Sequence, residues 1–187
     1  MAYLTRDEVI EMGFKHVGEN TYLSNRASYY NCKNISIGAN VRIDDFAVLS
    51  AGEGGIEIGN YIHIAVYSSL IGAGKIELKD YCNISSRVSI YSSNDDYSGK
   101  YMTNPMVPND FTNVTHGPVT IGKHAIVGSG TVVLPNLTIG DGVAIGALSL
   151  VTKDCDEFGV YVGAPVKKIK DRKRELLSLE KKLAERP

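Results

Sequence analysis

Two eighteen-residue stretches lie end to end in this chain and align without a gap: VTIGKHAIVGSGTVVLPN from Val119 to Asn136, and LTIGDGVAIGALSLVTKD from Leu137 to Asp154. Ile121 falls on Ile139, Val127 on Ile145 and Val133 on Val151, so each stretch is three six-residue steps. Earlier copies begin at Ile35 (ISIGANVRIDDFAVLS), Ile56 (IEIGNYIHIAVYSSLI) and Ile76 (IELKDYCNISSRVSIY). Repetition at a fixed period marks a solenoid. A period of six is neither the alternation of a long strand nor the 3.6 of a helix, and it fits a triangular coil in which each hexad supplies one flat side and one corner. The aliphatic residue of each hexad points inward, and the residue after it takes the corner. Gly38, Gly59, Gly122, Gly128, Gly140 and Gly146 hold that place, which predicts left-handed backbone there. One coil buries too little apolar surface alone, so stability requires the stack.

The rest of the composition agrees with an all-β reading. Nineteen glycines, no tryptophan and abundant valine and isoleucine suit short strands joined by tight turns. At 187 residues the chain builds one core rather than two. Twenty basic and twenty-one acidic side chains leave a formal charge of -1, so no global field draws it to nucleic acid or an anionic membrane. No run of eighteen apolar residues and no leader pattern is present, and a cytoplasmic location is expected. Cys32, Cys82 and Cys155 are scattered and lack CxxC spacing, which argues against disulfides and a zinc site.

Three segments depart from the period. Residues 1–34 read as a short helix and lead-in, with Thr5 and Glu8 at capping-box spacing. Residues 35–165 form the solenoid. Residues 166–187 (VKKIKDRKRELLSLEKKLAERP) read as a charged amphipathic helix with Ile169, Leu176, Leu177 and Leu183 along one stripe. Inside the solenoid, the hexads stop for residues 91–118 and then resume in register. That excursion carries tyrosines, a phenylalanine and prolines, the composition of a functional loop rather than a disordered linker.

At this point the sequence resembles the hexapeptide-repeat acyltransferases, whose fold is a left-handed parallel β-helix. The most specific stretch runs from Val119 to Ile169 and is similar to the C-terminal half of the galactoside and maltose acetyltransferase type. The resemblance implies a homotrimer, with active sites in grooves between protomers and the loop beside a neighbouring subunit. It also implies acetyl-CoA as cosubstrate, no metal, and coenzyme A lying along the C-terminal coils. The matching positions are Ser129, Ala147, Thr152, Lys153, Pro165, Lys167 and Lys170. Small side chains let an extended pantetheine arm approach the backbone, and lysines offset phosphate charge.

Galactoside-type enzymes place a catalytic histidine near the start of the loop, where this chain has Asp95 with Asp96 beside it. A sugar hydroxyl needs a strong, well-placed base, commonly histidine. An amine already attacks a thioester in its neutral form, and a carboxylate can orient the ammonium and then take its proton. The aspartates therefore point to an amino-sugar acceptor. The RIDDF and YSSNDDYSG segments are also similar to acyltransferases of nucleotide-linked 4-amino-4,6-dideoxy sugars in O-antigen and other surface-polysaccharide synthesis. Asn94, Tyr97, Asp44 and Asp45 are the expected acceptor contacts.

His116, where the loop rejoins the solenoid, and His63, facing out of a flat side, are alternative bases and equally ordinary surface or interface histidines. His124 reads as a surface corner residue, and His16 falls outside the solenoid. An O-acetyltransferase acting on a galactoside, maltose or polysaccharide hydroxyl remains the enzymatic alternative. A non-catalytic scaffold predicts no affinity for coenzyme A. A metal-dependent carbonic anhydrase of the same fold would need three converging histidines from the four present.

Overall fold

In the computed structural model, which describes residues 2–185, the hexads build a three-sided prism. The first face stacks His16–Val17, Ile35–Ile37, Ile56–Ile58, Ile76–Leu78, Val119–Ile121 and Leu137–Ile139 in parallel. The second stacks Tyr22–Leu23, Arg42–Ile43, His63–Ile64, Asn83–Ile84, Ile126–Val127, Ala144–Ile145 and Gly159–Val162. The third stacks Ser28–Tyr30, Val48–Ala51, Ser69–Gly72, Ser89–Tyr91, Val132–Val133 and Leu150–Val151. This is the left-handed parallel β-helix that the resemblance implies.

The inward aliphatics stack rung on rung. Ile43, Ile64, Ile84, Val127 and Ile145 form one column; Leu49, Leu70, Ile90, Val133 and Val151 form another. Nearly all are fully buried. Each such side chain stabilises the fold by about 1.5–3 kcal/mol relative to exposure, so the core is continuous along the prism rather than central.

The glycines do a different job from the one expected. Gly38, Gly59, Gly122, Gly128, Gly140 and Gly146 are not left-handed. They are small because the next coil lies against them: a Cβ on Gly38 would fall 2.5 Å from the Gly59 carbonyl oxygen, and one on Gly128 would fall 2.6 Å from the Ala147 nitrogen. The left-handed step comes two residues later and is taken mostly by larger side chains, among them Asn40, Phe46, Tyr61, Tyr67, Tyr81, Arg87, His124, Leu148 and Phe158.

Both ends of the solenoid also differ from expectation. The capping box of Thr5 and Glu8 starts helix α1, Arg6–Glu11. The strand ladders then begin at His16 rather than Ile35, so His16 belongs to the first coil. Beyond Val166 the chain is not yet helical. Lys167–Asp171 is a strand folded back antiparallel on Gly159–Val162, because Gly163 takes a positive φ and lets the chain reverse. Helix α2 covers only Leu176–Ala184, and Ile169 sits exposed on the strand, away from the helical leucines. Arg186 and Pro187 lie outside the described residues. No helix of the described residues is long and apolar enough to cross a membrane.

Candidate active site

The loop leaves and rejoins the prism through a two-residue neck. Ser93–Asn94 pairs antiparallel with Thr115–His116, with Ser93 opposite His116 and Asn94 opposite Thr115. The neck is pinned to the coil on either side. Buried Ser92 donates to the Gly74 carbonyl at 2.7 Å, and its own carbonyl accepts the Gly117 N–H at 3.1 Å. Gly117 must lack a side chain here, since a Cβ would stand 2.6 Å from that of Asn136.

Ser93 Oγ accepts the Ala73 N–H at 2.8 Å and lies 2.8 Å from His116 Nδ1. If Ser93 donates to Nδ1, the neutral imidazole carries its proton on Nε2 and is a donor. If Nδ1–H donates to Ser93, Nε2 is bare and can act as a base.

The two aspartates differ sharply. Asp96 Oδ1 accepts both the backbone N–H and the hydroxyl of Ser98, at 2.9 and 2.7 Å. Those bonds, chiefly from the Ser98 hydroxyl, hold its carboxyl below the usual aspartate range. Asp96 therefore shapes the turn and is a poor proton acceptor, which counts against the assisting role expected for it. Asp95, one residue past the neck, is exposed. Among the described residues no side-chain hydrogen bond or ion pair engages its carboxylate, leaving both oxygens for a ligand. Asn94 donates its amide to the Asp95 carbonyl at 3.1 Å, and Tyr97 is 88 % exposed on the loop beyond.

Beside the neck runs a groove of about 450 Å³ lined by Asn94, Thr115, His116, Leu134, Pro135 and Thr152, with Gly117 and Asn136 completing it. It joins the loop residues to Thr152, one of the expected coenzyme A contacts. Ser129 and Ala147 lie elsewhere, at the turn between the second and third faces. Lys153 is exposed beyond the last third-face strand; Pro165 is exposed at the reversal, and Lys167 and Lys170 are exposed on the returning strand. Small side chains thus lie along the turn and cations at the C-terminal end of the stack.

Asp44 and Asp45 share that second-to-third-face edge. Asp44 is buried, with Oδ2 2.8 Å from His63 Nε2 and Oδ1 3.0 Å from Arg42 Nε. The latter is a charge contact outside hydrogen-bond alignment. Asp45 accepts from the hydroxyl of Ser24, which is fully buried. These carboxylates fix the turn from within, so Asp44 does not line an open cleft as its place in the sequence suggests. His63 does face outward, but it is held by Asp44 and Arg42.

His124 departs from the surface reading. Its ring stacks on Tyr81 at 4.8 Å, and its Nε2 is 2.7 Å from Glu180 on α2. The three cysteines are free and buried; burial pushes the Cys82 thiol up to about 12 and that of Cys155 to about 11, which removes them as nucleophiles.

Within one chain the candidates thus form two groups. Asn94, Asp95, Asp96, Tyr97, His116 and Thr152 gather where the third face turns into the first. Asp44, Asp45, His63, Ser129 and Ala147 gather where the second turns into the third. Sequence reasoning overlooked Ser93, Arg42 and the outward row Phe46, Tyr67, Arg87. The row had a visible signal: its members fall at the same step of consecutive coils.

A profile of the family "Bacterial transferase hexapeptide (six repeats)" matches residues 117–153. A dTDP-4-amino-4,6-dideoxy-D-glucose acyltransferase of Escherichia coli is 62% identical over 180 residues, covering 96% of this chain and 94% of its own. A putative lipopolysaccharide biosynthesis O-acetyl transferase of Escherichia coli strain K12 is 32% identical over 165 residues, 86% of this chain and 80% of its own. Among solved structures, the N-acyltransferase AntD of Bacillus cereus, in complex with dTDP and coenzyme A, superimposes with a TM-score of 0.94 at 44% identity, covering 98% of both chains. That form of AntD carries one substituted aspartate, and other forms carry one substituted serine. With relatives this similar along nearly its whole length, the chain belongs to the hexapeptide-repeat acyltransferases and is an enzyme of acyl transfer.

Proposed function

We propose that this enzyme transfers an acetyl group from acetyl-CoA to the amino group of a dTDP-linked amino-deoxy sugar, with dTDP-4-amino-4,6-dideoxyglucose as the first acceptor to test. The observation that carries the reading is the unengaged carboxylate of Asp95 at the neck of the loop, beside a groove that also holds His116 and Thr152. A free carboxylate positions an ammonium group by charge-assisted hydrogen bonds and accepts a proton as the amine adds to the thioester carbonyl. Substrate class is supported by the 62% identical relative and by AntD, whose structures hold dTDP or dTDP-4-amino-4,6-dideoxyglucose with coenzyme A. Another AntD complex holds 3-hydroxybutyryl-CoA, so acyl size belongs in the test.

The separation of the candidates into two groups supports a homotrimer in which the Asp95 edge of one copy faces the Ser129–Ala147 edge of the next. The loop residues Tyr97 and Met106, 88 % and 90 % exposed, would pack on that neighbour. A cytoplasmic location and a role in surface-polysaccharide synthesis belong to the same reading, the latter supported by the 32% identical lipopolysaccharide-biosynthesis relative.

The His116–Ser93 pair favours one second reading, transfer to a sugar hydroxyl with His116 as base. A thiol-release assay decides between the two. Acetyl-CoA is offered with dTDP- and GDP-linked amino sugars beside galactosides and maltose. Release with a nucleotide amino sugar, abolished by Asp95→Ala, is expected. Release only with hydroxyl acceptors, abolished by His116→Ala, would overturn the amine reading.

A further inference from the structure

The two-stranded neck of the loop decides where the proton of His116 sits. Ser93 Oγ has two partners among the described residues, the Ala73 N–H and His116 Nδ1, each at 2.8 Å. A serine hydroxyl has one proton to give and two lone pairs to fill. If His116 donated from Nδ1, Ser93 would accept twice, and the proton of this half-buried hydroxyl would find no acceptor among the described residues. If Ser93 donates instead, the Ala73 N–H, the hydroxyl and Nδ1 are satisfied in one chain of bonds. The backbone thus orients the hydroxyl and the hydroxyl orients the ring. His116 then carries its proton on Nε2, as a donor.

That chain of bonds starts from a rigid place. Ser93 stands directly opposite His116 in the neck, between fully buried Ser92 and a Gly117 that has no room for a side chain. The far nitrogen is treated differently from those of two other histidines. Nε2 of His63 is held by Asp44 and Nε2 of His124 by Glu180, whereas among the described residues nothing engages Nε2 of His116. The exposed ring borders the groove that also holds Thr152, an expected coenzyme A contact, and Asp95 stands one residue beyond the neck.

We propose that His116 is a catalytic residue of the acyl transfer, acting as an oxyanion donor and not as a base. Its Nε2–H bonds the thioester carbonyl oxygen as negative charge gathers there. The amine nitrogen attacks the carbonyl carbon, and the π pair passes to the oxygen that faces Nε2–H. Asp95 takes the surplus proton of the attacking nitrogen; collapse then expels the sulfur, to which Asp95 returns that proton. The histidine neither gains nor loses one. A donor aimed in advance by Ser93 has no reorganising to do as the charge develops, which is the source of such a group's effect.

This rests on the proposed acyl transfer, and the test separates the two, because the thioester carbonyl is common to amine and hydroxyl acceptors. Steady-state kinetics are measured on the full-length wild type, His116→Ala and His116→Gln, with acetyl-CoA and the acceptor that the wild type acylates. Glutamine offers an N–H donor near the place of Nε2 and cannot act as a base. His116→Ala is expected to lower kcat by about 10²–10³-fold while KM for both substrates holds, and His116→Gln to recover about tenfold of that loss. Melting temperature and oligomeric state check that both variants fold. A glutamine variant as slow as the alanine one makes His116 a base and overturns the donor role. Full activity in His116→Ala removes the residue from the reaction and also overturns it. Failure of the amine reading looks different: the wild type then acylates hydroxyl acceptors only, and the ratio of glutamine to alanine rates still judges the donor.

Discussion

Two edges of the prism carry columns of large side chains in left-handed conformation, and the C-terminal segment of the chain closes over one end of only one of them. Between the first and second faces, Tyr61 stacks on Tyr81 at 5.0 Å and Tyr81 on His124 at 4.8 Å. The C-terminal segment closes over the His124 end of this column, while Tyr61 at the other end stays 45 % exposed. Glu180 of α2 holds Lys123 and His124, Arg172 donates to the carbonyls of His124 and Gly142 at 2.9 and 3.0 Å, and Arg174 lies 4.0 Å over the ring of Phe158. Between the second and third faces, Phe46, Tyr67 and Arg87 repeat the same stack, and among the described residues nothing of this chain lies above it. The same unfavourable backbone step thus serves cohesion within the chain at one edge and is left uncovered by the chain at the other.

The largest effect expected in breaking that comparison lies on neither column. Asp95→Ala should lower kcat by about 10²–10⁴-fold while the melting temperature stays put; a parallel loss of stability would make Asp95 a support of the loop rather than a group of the site. On the covered edge, Arg172→Ala strands two backbone carbonyls. Thermal unfolding should register about 2 kcal/mol of lost stability, a melting temperature lower by roughly 4–8 °C. Equal losses from Phe46→Asn would erase the distinction between the edges.

A smaller effect concerns pH. Hydrogen bonds from Lys123 and then His124 hold the Glu180 carboxyl below its ordinary value. A lowered carboxyl contributes stability that is complete above the unfolded glutamate value, near 4.5, and is lost as pH falls through the lower folded value. Hydrogen exchange should accordingly show α2 protected at neutral pH and released in acid, with no matching change at the open column. Glu180→Gln should flatten the profile. The smallest change is a gain: Leu148, 79 % exposed at φ 56°, replaced by asparagine should raise stability by about 0.5–1 kcal/mol, and an unchanged melting temperature would show that the strain there is already relieved by packing.

Periodicity alone was enough to read a three-sided coil, because inward aliphatics recur every six residues, a spacing that neither a long strand nor a helix gives; its left hand came from the family resemblance. It also located the loop, since hexads resume in register at Val119. What lay beyond it was three-dimensional. Glycine after an aliphatic is compatible both with left-handed backbone and with a coil pressed against it, and only the stacked neighbour decides; at Gly38 and Gly128 it is the neighbour. The first coil was hidden because His16–Val17 and Tyr22–Leu23 are two-residue strands supplied with partners by later coils. Lysines of the segment from Lys167 to Asp171 suit a helix by composition, yet an exposed strand edge at Gly159–Val162 claims them. At the site, Asp95 and Asp96 are identical in type and adjacent in sequence. Their difference comes from Ser98 two residues on, whose hydroxyl reaches only one of them.

The antiparallel return of Lys167–Asp171 has a consequence for the molecule in concentrated solution. A stack of parallel coils offers at its end a layer of unpaired backbone groups that another copy could extend, coil upon coil, into a fibre. Here each side of that layer is already spoken for. Cys155 donates to the Thr138 carbonyl on the first face, Leu150 exchanges bonds with Gly163 and Val166 on the third, and the second ends in a strand of reversed direction bearing Lys167, Lys168 and Lys170. A prism built from one repeated unit thereby stops counting at its C-terminal end, where growth by polymerisation is denied a template.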